Sequence, residues 1–312
     1  FGQWQEFKSY VNGKGISIVG DLPIYVAGDS ADVWAAPDQF LLDNQGRPTL
    51  VAGVPPDDYS ADGQLWGNPL FRWDRMKQDG YAWWLDRVAF QFEIYDVLRL
   101  DHFRGFESYY AIPYGEKTAR NGQWLPGPGM DFFRALRRSL GPRPIIAEDL
   151  GFLTPEVYQL LADTGFPGMK VLEFGFGDPG EDSEYLPHNY PVHSVAYPGT
   201  HDNDTILGWL DSLTPEQAKF ARHYLRLSRR EGLHWGVLRS LWASPARLTV
   251  VQMQDLLGLD RRARMNTPST LGGNWQWRAL PEAMSAGLAR RLYRETAAYQ
   301  RLPRGGTAKN EE

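Results

Sequence analysis

The 312-residue chain balances 42 % hydrophobic against 23 % charged residues, with a formal net charge of -5. This is a globular composition without the basic surface that nucleic acid or anionic lipid requires, and no apolar run is long enough to span a bilayer. Cysteine is absent, which excludes disulfides, thiolate nucleophiles and zinc–thiolate sites and fits a reducing, cytoplasmic setting.

Aromatic residues are numerous: 12 Trp, 15 Tyr and 15 Phe. Such rings either fill a large core or line a cleft in which the flat C–H faces of sugars stack. Composition leaves both readings open.

In chain order, six short apolar runs predict buried strands: Ile16 to Val19, Val97 to Leu100, Ile145 to Ala147, Val171 to Phe174, Val195 to Tyr197 and Leu248 to Val251. Helical patterns separate them. Met130 to Leu140 is one such stretch. Thr154-Pro155-Glu156 and Thr214-Pro215-Glu216 each place a capping hydroxyl, a proline and a first-turn carboxylate at a helix start, the second helix running towards Arg229. Met284, Leu288 and Leu292 give a C-terminal helix one apolar stripe. Alternating strands and helices imply right-handed crossovers and a parallel α/β sheet, open or closed. A closed (β/α)8 barrel needs eight strands, so either the sheet is open or two strands lie upstream of Phe1. The segment 34–79 is too long for a simple connection and too aromatic for disorder, so it reads as a functional insertion. Residues 1–304 carry these elements as one portion, and 305–312 read as a loose tail.

Carboxylates follow several of these runs: Asp21, Asp101, Glu148 and Asp202. In a parallel barrel, strand C-termini form one face, where residues from different strands converge. Singly, each carboxylate could instead cap a helix or hold a turn. Together they suit glycoside chemistry, which needs an acid at the leaving oxygen and a carboxylate at the oxocarbenium-like carbon. A metal site is the competing use. Asp202-Asn203-Asp204 nevertheless fails the EF-hand pattern, with Leu207 where its glycine belongs and Leu213 where its bidentate Glu belongs. Arg99 lies two residues before Asp101 and so projects to the same side of a strand, where it favours ionised Asp101 and suits a nucleophile. Glu148 follows an apolar run, where desolvation would raise its pKa and suit a general acid. Gly175 to Gly180 matches a dinucleotide fingerprint by letters only, because no helix pattern follows it.

At these residues the sequence resembles glycoside hydrolase family 77, the 4-α-glucanotransferases or amylomaltases, relatives of the α-amylases. The resemblance rests on Gly20 to Val26, Gly53 to Asp57, Gly63 to Pro69, Arg99 to Phe106, Ala147 to Gly151, Gly199 to Thr205 and Asn274 to Arg278, in order along nearly the whole chain. It implies a (β/α)8 TIM barrel of the α-amylase superfamily, incomplete here, with about six of eight strands present. The family's first strands and an inserted subdomain would lie upstream. A chain with two open strand edges is expected to fold poorly alone or to associate.

The resemblance further implies transfer of α-1,4-glucan segments by a retaining double displacement, with no cofactor and no metal. Asp101 would be the nucleophile, Glu148 the acid and base, and Asp202 the residue that holds sugar hydroxyls and distorts the ring. Arg99 would orient Asp101, and Asp21, His201 and His102 would meet the sugar. Tyr59 and Trp66 would belong to a lid over the acceptor side. The partners would be malto-oligosaccharides or starch- and glycogen-derived glucans, with no nucleic acid and no membrane. The alternatives are a glucan hydrolase on the same barrel and an inactive glucan-binding fragment.

Overall fold

The computed structural model describes residues 1–57, 60–178, 180, 182–268 and 270–303. Tyr59 and the tail 305–312 lie outside them. The chain divides into two compact units, Phe1–Gly168 and Met169–Glu312.

Among its described residues the first unit contains seven strands: β1 (Val19–Leu22), β2 (Leu50–Val54), β3 (Gln64–Pro69), β4 (Val97–Leu100), β5 (Ser108–Pro113), β6 (Gln123–Pro126) and β7 (Ile145–Ala147). β1, β4 and β7 form a parallel sheet in that order, with Asp21 opposite Arg99 and Leu100 opposite Ala147. β4 and β7 occupy their expected positions. β1 begins three residues later than its apolar run, because Asp96 engages the start of that run: its carboxylate accepts the Ile18 N–H at 2.7 Å. Asp21 therefore lies inside β1 rather than after it. Gly20 is required in this strand, since a Cβ there would sit 2.0 Å from the Tyr95 ring.

Residues 34–79 contribute β2 and β3 to an antiparallel sheet of order β3-β2-β5-β6. Two of the segment's rings are core: Phe40 and Phe71 are buried and 5.3 Å apart. The core continues through Trp84, Phe106 and Phe132, with the Phe106 and Phe132 rings stacked at 5.2 Å. Much of the aromatic content is thus packing, worth about 1 kcal/mol per ring pair beyond burial.

The second unit carries β8 (Gly168–Val171, beginning at the unit boundary), β9 (Ser194–Tyr197) and β10 (Leu248–Thr249), in the sheet order β10-β9-β8. The apolar run 171–174 is a strand end followed by a 3-10 turn, Leu172–Phe176, rather than a strand. Thr214 and Gln217 close a full capping box on the helix Pro215–Tyr224, which stops five residues short of Arg229. Thr154 occupies the N-cap of Pro155–Thr164 without a capping hydrogen bond. In the last helix, Ala286–Ala298, Leu288 and Leu292 pack on the unit's core, whereas Met284 precedes the helix and is exposed. No helix among the described residues is long and apolar enough to cross a membrane.

Candidate active site

Three strand ends assemble the site of the first unit. The parallel ladder runs one residue past β4 and β7: Asp101 N–H donates to Leu22 O at 3.1 Å and Glu148 N–H to Leu100 O at 2.9 Å. Both side chains therefore emerge where the strands stop. Arg99, one pleat below Asp101, is buried. Its Nη1 donates to Asp101 Oδ1 at 3.0 Å and to Asp21 Oδ1 at 2.6 Å. Burial alone would lower the Arg99 pKa, but Asp21, Asp101 and Glu148 outweigh it and raise it, so the guanidinium stays charged.

Glu148 is held differently. Its two oxygens accept backbone N–H groups, Oε2 from His102 at 2.7 Å and Oε1 from Leu150 at 3.0 Å. Desolvation, then the negative charge of Asp101, push its pKa up to about 7, against the opposing pull of Arg99 and these two amides. One carboxyl is thus paired with a buried cation while its neighbour can keep a proton at neutral pH, the division of labour that glycoside chemistry needs.

The aromatic wall lies beside Glu148. His102 adopts a left-handed conformation, φ 49°, immediately after Asp101. Its ring meets Trp66 edge-on at 4.9 Å, and Tyr25 packs near both, at 6.2 Å from Trp66 and 6.4 Å from His102. Burial, with Arg104 nearby, lowers the His102 pKa to about 3, so the ring is neutral. Trp66 remains 38 % exposed, which leaves ring surface for a ligand. Gly105 keeps this corner tight, since a Cβ there would come 2.7 Å from Ile24 and 3.1 Å from the His102 ring.

The second unit holds His201 and Asp202 on the loop after β9. Asn266 donates to Asp202 Oδ1 at 2.6 Å, and Arg264 Nη2 donates to the Asp202 carbonyl at 2.5 Å. His201 Nε2 lies 3.4 Å from Asp202 Oδ2, and its ring faces Trp275 at 5.2 Å. Trp275 belongs to the Asn274–Arg278 motif, and its backbone N–H donates to Met265 O at 2.7 Å. The structure therefore groups Asp21, Arg99, Asp101, Glu148, His102 and Trp66 in one unit, and His201 with Asp202 in the other.

Sequence reasoning missed Tyr25, Arg264 and Asn266. The last two are separated by one residue and sit just ahead of the Asn274–Arg278 motif, which was the available signal. It also missed a buried carboxyl cluster. Glu173 lies under Gly199, and burial, then Asp255 and Asp204, raise its pKa well above the usual range. Burial, with Asp204, raises Asp255 to about 7 against the Ile206 N–H that it accepts at 2.7 Å. Among the described residues no group of His, Cys, Asp and Glu is arranged to hold a metal ion.

A family model described as 4-alpha-glucanotransferase, glycoside hydrolase family 77, matches residues 1–283. The chain belongs to glycoside hydrolase family 77. It is 48 % identical over 304 residues to the 4-alpha-glucanotransferase of Clostridium butyricum, covering 96 % of this chain and 62 % of that one. The solved amylomaltase of Streptococcus agalactiae, in complex with acarbose, is 46 % identical with a TM-score of 0.94. That match covers 97 % of this chain and 61 % of the other. The amylomaltase of Corynebacterium glutamicum, at 22 % identity over 96 % of this chain and 49 % of its own, shares the fold with a TM-score of 0.76. The fold of this family-77 chain is accordingly that of an incomplete (β/α)8 barrel, represented by the partial sheet β1-β4-β7 in the first unit and the partial sheet β10-β9-β8 in the second. The chain spans about three-fifths of the length of the curated relatives it matches.

Proposed function

We propose that this chain transfers α-1,4-glucan segments between malto-oligosaccharides by a retaining double displacement. The observation that carries the reading is the asymmetry of two neighbouring carboxyls. Asp101 is paired with buried Arg99, whereas Glu148 is held by two amides in a desolvated place.

In the first half-reaction, Asp101 attacks the anomeric carbon while the C1–O4 bond breaks. The departing oxygen takes the Glu148 proton. This leaves a glucosyl ester on Asp101 and a Glu148 carboxylate. In the second, Glu148 accepts the proton of an acceptor 4-hydroxyl, whose oxygen attacks C1 and frees Asp101. One group serves as acid and then as base because its pKa lies near neutrality. Arg99 pairs with Asp101 and aims it, and Asp21 shares that cation. Following the family resemblance, we assign Asp202 and His201 to sugar hydroxyls and Trp66, with His102, to a sugar face. Tyr59 is assigned with Trp66 to the lid of residues 53–69. Covering the ester from water would favour an acceptor sugar over hydrolysis.

Asp101→Asn removes the nucleophile, and transfer from maltotriose should fall by at least about 10³-fold with the unfolding transition unchanged. Retention of transfer within tenfold would refute the assignment.

A further inference from the structure

Arg104 is a cation with no place in the mechanism above, yet it is only 6 % exposed. Burying a guanidinium costs several kcal/mol unless its hydrogens are used. Here Nη1 donates to Phe152 O at 2.5 Å and Nη2 to Ser108 Oγ at 3.3 Å. The Trp124 ring covers its face at 3.8 Å. Ser108 in turn donates to Glu107, the acidic group that reaches this cation through the hydroxyl.

The two segments that Arg104 joins are those that hold Glu148. Arg104 belongs to the turn Phe103–Phe106, directly after His102, whose N–H binds Glu148 Oε2. Its target, Phe152 O, lies on the loop after β7, two residues beyond Leu150, whose N–H binds Glu148 Oε1. Phe103 N–H also donates to the Glu148 carbonyl, at 3.0 Å. The Phe152 side chain is itself 80 % exposed, so it is the carbonyl of this residue that meets Arg104.

We infer that Arg104 is a positioning residue for Glu148, fastening the turn after β4 to the loop after β7 so that both amides bracket the carboxyl. This rests on the proposed role of Glu148 as the acid. A misplaced acid harms only a substrate whose leaving group needs a proton. A glycosyl fluoride needs almost none: C1–F breaks as Asp101 attacks, and fluoride departs as the anion.

The test compares Arg104→Met and Arg104→Lys with Glu148→Gln on the whole chain. Two rates are read from each sample, disproportionation of maltotriose and the first burst of fluoride from α-maltotriosyl fluoride. Their ratio is independent of the folded fraction, so partial misfolding does not mimic the effect. Glu148→Gln should lose the first rate by at least about 10²-fold and keep the second. Arg104→Met should show the same split at about 10-fold or more. Arg104→Lys, which retains charge and one donor for Phe152, should recover part of it. Equal loss of both rates in the Arg104 variants, or loss of neither, overturns the inference while a split in Glu148→Gln leaves the mechanism standing. The absence of a split in Glu148→Gln overturns the role of Glu148 and this inference with it.

Discussion

At the residue scale, the proposed mechanism rests on two neighbouring carboxyls in different surroundings, Asp101 beside buried Arg99 and Glu148 desolvated between two amides. Glu148 titrates near pH 7, far above an ordinary glutamate, because it is desolvated beside Asp101. Only its protonated form can deliver the leaving-group proton, so the first half-reaction should slow as pH rises through about 7. With the unaltered chain that alkaline limb should appear for maltotriose and be absent from the first burst of fluoride from α-maltotriosyl fluoride, and a limb that persists with the fluoride would place the titration elsewhere. Asp255 makes a separate, non-catalytic prediction. Its folded pKa, about 7, exceeds the unfolded value near 3.8, so the folded state holds its proton more tightly. The resulting stability is present at low pH and is lost as pH rises through about 7. Asp255→Asn keeps an acceptor for the Ile206 N–H and removes the titration. Its melting temperature should therefore fall less than that of the unaltered chain between about pH 5 and about pH 8, and an equal fall would contradict the assignment. The placing of Asp101, Arg99 and Glu148 at neighbouring strand ends could be read from the chain because strand periodicity places alternate residues on one side and marks where apolar runs end. The Glu173, Asp204 and Asp255 cluster could not, because its members are far apart in sequence and nothing local marks a buried acid.

At the element scale, β4 and β7 matched their apolar runs because both faces of a parallel strand are buried. β1 did not, because a long-range contact from Asp96 decides where its ladder begins. The antiparallel sheet β3-β2-β5-β6 escaped notice for a similar reason. Its strands are mixed in polarity, as in Gln64–Pro69, and are specified by pairing rather than by alternation. That pairing depends on Gly53, where a Cβ would lie 2.2 Å from Gln64 O and 2.5 Å from Ile112 Cδ1. Gly53→Ala should cost roughly 1–3 kcal/mol in urea unfolding and disturb the strand that leads to Trp66. An unchanged midpoint would show that β2 and β3 can separate freely.

At the scale of the whole molecule, the α/β class was legible because most strands of the two partial parallel sheets are short apolar runs between helices, although the run 171–174 is the end of β8 followed by a 3-10 turn. The division into two compact units was not, since no linker composition marks the change at Gly168. On the proposed mechanism, transfer and hydrolysis differ in whether the ester on Asp101 would meet a sugar or water, which no single motif decides. The most direct measurement is to incubate the 312-residue chain with maltotriose and separate the products by length. The account predicts glucose together with maltopentaose and longer chains. Glucose and maltose alone, with nothing longer than the substrate, would contradict it.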